Sequence, residues 1–275
     1  METMTAETAT LSIRELVQFI DVNETFRNAC AHNNLNAAQC LYSTVQSSDV
    51  SANKIHCEQN AFGDVCILGH LEVAQWLLQI KPDIDISSAD EYAFRYACKN
   101  GHLHVVQWLL SVKPEIKISS CNEFAFREAC KNGHLEVAQL LLSVKKDIDI
   151  SFENELAFRW ACAYGHLEVA QWLFSVKPTI DVSASDGFGI KESAFRRACY
   201  NGHLKVAQWL LSVKPTIDIS ASNEYAFRCA CQHGHLEMMQ WLLSVKPTID
   251  ISECEGSYLE VIDTIESLNS LKQSK

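Results

Sequence analysis

The sequence predicts an all-α protein in which pairs of helices stack one after another as an elongated repeat solenoid. The first observation is a Gly-His-Leu tripeptide that recurs at intervals of 32, 32, 32, 37 and 32 residues, beginning at Gly69, Gly101, Gly133, Gly165, Gly202 and Gly234. The second is a degenerate earlier copy of the repeat that starts at Phe26, which brings the total to about seven units. One such helix pair cannot bury its apolar face alone, so neighbouring units must stack.

Within each unit the pattern predicts a helix, a turn, a second helix and a short extended tip. In the fourth unit Phe126, Ala129 and Cys130 have the i, i+3, i+4 spacing of one helix face. Gly133 is expected to end this first helix, because glycine adopts the left-handed conformation of a helix terminus. Lys-Pro pairs such as Lys113-Pro114 are expected to end the second helix, which proline cannot continue.

A glutamate stands four residues before an arginine in the first helix of five units, as in Glu123 and Arg127 or Glu155 and Arg159. On a right-handed helix such residues face each other, and each ion pair contributes about 0.2–0.5 kcal/mol. We therefore expect the arginines to be paired with these glutamates rather than to form a phosphate-binding stripe.

The array is expected to span residues 25–252 and to be closed by a helix at each end. Residues 1–24 would form an N-terminal tail and capping helix, since Ser12 and Glu15 match a capping box. Residues 253–275 would form a C-terminal capping helix, where Ser257 and Glu260 repeat that pattern. We expect the protein to be a monomer.

Composition excludes several classes of partner. Hydrophobic residues make up 48% of the chain, enough for a continuous core, and the formal net charge is −11. An acidic surface repels phosphate backbones and anionic lipid, which argues against nucleic acid and membranes as partners. The 12 cysteines are not preceded by a secretory signal pattern, so we expect reduced thiols and an intracellular, cytoplasmic protein.

The recurring Cys-x-x-x-His spacing, as in Cys66 and His70, is also found in some metal sites. Structural zinc takes four ligands, whereas each unit offers two, so we expect buried thiols and a histidine that secures the turn. No motif for a nucleophile or a phosphate loop is present. The sequence therefore predicts neither metal, nor cofactor, nor enzymatic activity.

The Gly-His-Leu-Glu-Val blocks and their spacing resemble the ankyrin repeat across most of the chain. The run that begins Ala-Phe-Arg is similar, more narrowly, to the ankyrin repeats of giant viruses that infect amoebae. This resemblance implies a scaffold or adaptor that binds a partner protein on a concave helical face. The alternatives are a structural module without a discrete ligand and a viral adaptor that recruits host proteins to ubiquitin ligases.

Positions that are needed for packing between repeats keep the same residue type in every unit. Positions that vary from unit to unit are therefore candidates for binding. Two sets of positions share one face of the first helix: the residue before each Ala-Cys pair, and the two residues before each Gly-His. In the family's stacking that face is concave, and the candidates on it are Tyr96, Glu128, Trp160, Tyr164, Arg197 and Tyr200. Lateral packing between first helices is the other explanation of these aromatics.

Two further features bear on binding. A five-residue insertion lengthens one interval to 37 residues and places Phe188 at a tip, where insertions in repeat proteins often bind partners.

A tryptophan recurs in the second helix of five units, and we expect it to pack between repeats, although a mixed role in binding stays open. These tryptophans are Trp76, Trp108, Trp172, Trp209 and Trp241.

Overall fold

The computed structural model describes residues 21–46, 55–186 and 189–250. Within these ranges the chain forms fourteen α-helices and no strand. The helices are α1 Val22–Ala31, α2 Leu35–Gln46, α3 Glu58–Leu68, α4 Leu71–Ile80, α5 Ser88–Lys99, α6 Leu103–Val112, α7 Ser120–Lys131, α8 Leu135–Val144, α9 Phe152–Ala163, α10 Leu167–Val176, α11 Ser193–Tyr200, α12 Leu204–Val213, α13 Ala221–Gln232 and α14 Leu236–Val245. Successive pairs are repeats one to seven, which confirms the all-α repeat class. The two expected capping helices lie outside the described residues.

The chain divides into two compact units, residues 1–121 and 122–275, with the boundary in the first turn of α7. The sequence pattern runs without a break across this point and gave no indication of it. Each unit is described by itself below, and the same contacts between neighbouring repeats recur in both.

Glycine ends the first helix of repeats two to seven in the way that the sequence predicts, and Asn33, with φ 56°, takes its place in repeat one. In repeat five, Gly165 has φ +84° and its N–H donates to the carbonyl of Cys162, while the N–H of His166 donates to the carbonyl of Ala161. These two bonds form a Schellman motif, which satisfies the last carbonyls of α9. A Cβ on Gly165 would lie 2.6 Å from Nδ1 of His203, so the turn requires glycine for packing as well as for its φ.

The core is a ladder of buried phenylalanines, five of which pack against the tryptophan of the following repeat. Phe126 is fully buried, and its ring centroid lies 6.3 Å from that of Trp172 in repeat five. Phe158 and Trp209 repeat the contact at 6.1 Å between repeats five and six. The tryptophans are half-buried. Packing between repeats, as predicted, is therefore what places them.

The tips keep the predicted alternation of buried and exposed residues but are folded as tight turns. Ile116 and Ile118 are buried, whereas Lys117 between them is exposed. Ile116 donates to the carbonyl of Lys113, and Ser120 donates to that of Lys117. The tip of repeat three thereby adds two isoleucines to the core of its own unit.

The predicted glutamate–arginine ion pairs are wrong, because the glutamate stands in a left-handed turn and not on the helix. In repeat five, residues 153–155 have φ of 48°, 57° and 62°. Arg159 donates from Nε to the carbonyl of Asn154 at 2.7 Å and from Nη2 to that of Glu153 at 2.8 Å. The carboxylate of Glu155 instead accepts from the hydroxyl of Ser151 at 2.9 Å.

This left-handed turn recurs at residues 89–91, 121–123 and 222–224. Left-handed backbone costs about 1–2 kcal/mol for each residue with a side chain. The buried arginine offsets that cost by bonding the carbonyls that the turn exposes, as Arg95 does with Asp90 and Ala89. Four arginines of the ladder are thus structural, as expected, but they bond backbone carbonyls, and one of them, Arg196, also pairs with Asp186.

Removal of one such arginine should destabilise the protein. We expect Arg159→Ala to lower the free energy of unfolding by about 1–3 kcal/mol, because two buried carbonyls lose their donor. Arg159→Lys should recover little of the lost stability, since lysine has no planar guanidinium whose N–H groups can bond both carbonyls. Urea denaturation measures the effect, with the exposed Arg197→Ala as the matched control at less than about 0.5 kcal/mol. Equal stability of all three variants would contradict the role assigned to Arg159.

Candidate functional site

In the second unit the first helices present a cluster of aromatic rings and cations. Trp160 and Tyr164 lie one turn apart on α9, with Trp160 half-buried and Tyr164 52% exposed. The ammonium of Lys131, on α7, lies 4.8 Å from the ring centroid of Trp160 and 5.4 Å from that of Tyr164. The guanidinium of Arg127 lies 5.7 Å from the Trp160 ring. One lysine therefore holds both rings in place through cation–π contacts.

Repeat six continues this face with Arg197 and Tyr200 on α11. Arg197 is exposed, and Tyr200 is 38% exposed. The Tyr200 ring packs on His233 of repeat seven, with centroids 4.2 Å apart. Four of the predicted residues thus lie on consecutive first helices with their side chains at least partly accessible.

Of the other predicted site residues, only Glu128 lies in the described part of the second unit. Glu128 is only 7% exposed, and its carboxylate lies 3.6 Å from Nζ of Lys131, so it positions the lysine instead of offering a contact. Tyr96 belongs to the first unit, where its ring packs on Tyr92 at 4.5 Å and lies under the ammonium of Lys99. Phe188 lies outside the described residues.

Sequence reasoning missed the role of Lys131, which it treated as an ordinary variable position. Lys131 and Trp160 are far apart in the chain, and only the stacking of α7 beside α9 brings them together. A signal was available, since Lys131 lies two residues before Gly133 and Tyr164 lies one residue before Gly165. Positions before the glycine turn therefore meet the next repeat's variable residues.

In five of the six Gly-His-Leu tripeptides the histidine bonds a backbone carbonyl of the preceding repeat. His70 Nε2 lies 2.8 Å from the carbonyl oxygen of Ala31, and His235 Nε2 lies 2.9 Å from that of Tyr200. His166 and His203 donate in the same way to Lys131 and Ala163. The motif therefore joins neighbouring repeats within each unit, rather than securing only its own turn.

Burial lowers the pKa of His166, and also that of His102 and of His203, below the usual 6.5. Folding therefore disfavours the protonated form of these three rings. A lowered folded-state pKa means that the unfolded chain binds more protons, and stability is lost as pH falls below 6.5 towards the folded value. We expect the urea midpoint to decline over this range while carboxylates stay ionised, above about pH 5. His166→Gln, which keeps a donor, should flatten the decline; an unchanged slope would contradict this origin.

The buried cysteines are held as unreactive thiols. Burial raises the pKa of Cys30 to about 12 and that of Cys57 to about 11, and raises the pKa of Cys130 and Cys162 further. Thiolate is the nucleophile and the metal ligand, so these thiols suit packing. All cysteines in the described ranges are free, and these ranges contain no group of three or more metal-ligating residues.

Comparison with known proteins identifies the repeats. A family model for ankyrin repeats in three copies matches residues 94–186, and a second ankyrin model matches residues 64–110. Residues 64–186 match ankyrin repeats. The human ASB11 ankyrin repeat domain superposes with a TM-score of 0.50 at 18% identity, covering 73% of this chain and 95% of that domain. The fold is therefore the ankyrin fold.

The search of curated proteins returned no match to this chain. Among the described residues no helix of these ankyrin repeats is long and apolar enough to cross a membrane. Ankyrin repeats in general mediate protein–protein interaction, and the fold is typically non-catalytic. The residues that would bind a partner have to be argued from the chain itself.

Proposed function

We propose that the second unit binds a partner protein through the first-helix face of repeats four to six. The contact surface, called the aromatic face below, consists of Lys131, Trp160, Tyr164, Arg197 and Tyr200. Its role is that of a scaffold or adaptor, without catalysis and with a protein as the ligand. The similarity to viral repeats stays an expectation from the sequence.

The observation that carries this proposal is the exposure of Tyr164 and Tyr200 on a face whose core is complete without them. Phe158 and Trp209 already fill the space between repeats five and six. Lateral packing alone would bury the tyrosines, yet they are 52% and 38% exposed. Tryptophan, tyrosine and arginine dominate the binding energy of protein interfaces.

Preorganisation also favours binding at this face. The Lys131 ammonium lies between α7 and the two rings of α9, so little side-chain freedom remains to be lost when a partner binds. Positive charge from Lys131 and Arg197 stands out in a chain of net charge −11 and favours a partner surface with acidic groups.

Affinity capture with paired baits tests the proposal. The parent protein and the folded double variant Trp160→Ala with Tyr164→Ala are used in parallel, and a true partner is retained by the parent alone. A third bait, Glu168→Ala with Gln171→Ala, changes exposed residues on the second helix of the same repeat and should retain the partner. A ubiquitin ligase subunit as that partner would select the ligase adaptor role.

A result without any saturable partner would favour the structural module instead. Retention of the same partner by all three baits would leave the adaptor role intact but would reject the aromatic face. Circular dichroism of every bait comes first, because Trp160 is half-buried and its loss could disturb α9.

A further inference from the structure

Repeat two departs from the arginine ladder. The residue after the core phenylalanine is arginine in every other repeat but glycine here, the full set being Arg27, Gly63, Arg95, Arg127, Arg159, Arg196 and Arg228. Repeat two also has no left-handed turn, since residues 57–59 have ordinary negative φ. Repeat two therefore lacks both the turn and the arginine, whereas repeat one keeps Arg27 without the turn.

A cavity of about 200 Å³ lies beside Gly63, on the first-helix side of repeats two and three. Its wall includes Arg27 on α1, Gln59 and Asp64 on α3, and Asp85 and Tyr92 of repeat three. A Cβ placed on Gly63 would meet only the Tyr92 ring, at 4.0 Å. The missing side chain is thus what opens the cavity, and Tyr92 forms its floor.

Repeats six and seven show what an arginine does at the equivalent place. The guanidinium of Arg196 lies over the ring of Tyr225, 5.0 Å from its centroid. Tyr225 begins the Tyr-Ala-Phe-Arg block of repeat seven, as Tyr92 begins that of repeat three. Tyr92 therefore offers the next repeat's half of this contact, and it is 40% exposed.

The cavity is lined by two carboxylates and one guanidinium, with a lysine at its edge, so these four charges cancel. A further cation is offered the Tyr92 ring and Oδ1 of Asp64, since both bonds from Arg27 end on Oδ2. Asp64 and Asp85 supply two carboxylates, and Arg27 supplies one positive charge that is bonded to Asp64 at 2.6 Å. Lys113 lies 4.0 Å from Asp85 at the edge of this group. Gln59 fixes the rim through two bonds to the backbone of Asp85, at 2.8 and 3.0 Å.

We infer that this cavity binds the guanidinium group of an arginine side chain presented by a partner polypeptide. The guanidinium stacks on Tyr92, as Arg196 stacks on Tyr225, and faces the carboxylates of Asp64 and Asp85. A planar, weakly hydrated cation suits a site made of an aromatic ring and carboxylate oxygens better than the compact ammonium of lysine does. The site lies in the first unit and does not depend on the aromatic face of the second.

The test is a titration of the whole chain with the capped tripeptide Ala-Arg-Ala, followed by calorimetry and by the backbone NMR signal of Gly63. We expect saturable binding with a dissociation constant on the order of 1 mM. The same tripeptide with citrulline or lysine in place of arginine should bind at least about tenfold more weakly, since it lacks the charge or the planar group. Absence of saturable binding, or equal binding of citrulline, would overturn the inference.

Gly63→Arg should abolish binding, because the protein then fills the cavity with its own arginine. Gln39→Arg adds the same charge at an exposed position on α2 and should bind as the parent does. Tyr92→Leu provides a second variant and should weaken binding at least about tenfold by removing the cation–π contact. Parent-like binding by Gly63→Arg, or by a folded Tyr92→Leu protein, would show that the tripeptide binds elsewhere.

Discussion

Phe126→Ala is expected to lower the free energy of unfolding of the second unit by about 3–5 kcal/mol. The side chain is fully buried and packs on Trp172 of the next repeat. Its removal opens a cavity at the contact between repeats four and five, and a repeat array depends on such contacts between neighbours for its cooperativity. The loss therefore affects the stacking of two repeats, and not one helix alone.

Urea denaturation followed by circular dichroism measures this effect. Phe124→Ala is the matched control, because Phe124 is the same residue type on the same helix but is only half-buried. The control should cost clearly less than Phe126→Ala. Equal losses for the two variants would contradict the assignment of Phe126 to the core ladder.

The repeat pattern predicted those features that depend on neighbours in the chain. The left-handed Gly165 turn follows from glycine's freedom at positive φ, and the buried phenylalanine ladder follows from helical periodicity. The place of Trp209 was also predictable, since a large apolar side chain in a repeat without a core of its own packs on the next repeat.

Features that depend on backbone geometry or on contacts between repeats were not predictable in this way. A glutamate four residues before an arginine indicates an ion pair only if both are on one right-handed helix. Glu155 is not, because residues 153–155 turn the other way. Nothing in the local residue types requires this, since glutamate and asparagine are both tolerated in ordinary helices.

The candidate site was predicted in part for the same reason. Variation between repeats selected Trp160, Tyr164, Arg197 and Tyr200, all at least partly accessible. It also selected Glu128, because variation alone does not distinguish a residue that contacts a partner from one that positions Lys131. The cavity at Gly63 needed the structure, since a missing side chain becomes a site only when its surroundings are known.

Trp160→Ala combined with Tyr164→Ala is expected to weaken partner binding by about 2 kcal/mol or more, roughly thirtyfold. Both rings lie against Lys131, so their loss also releases the lysine from its fixed position. For that reason Lys131→Ala alone should weaken binding too, by a smaller factor. Lys131 is thus unsuitable as a neutral control.

The direct test of the aromatic face is a calorimetric titration of the captured partner with three folded proteins: the parent, Trp160→Ala/Tyr164→Ala and Glu168→Ala/Gln171→Ala. We predict a loss of about thirtyfold or more for the aromatic variant and of less than about fivefold for the control. Parent-like affinity of the folded aromatic variant would contradict the proposal that repeats four to six bind the partner through this face.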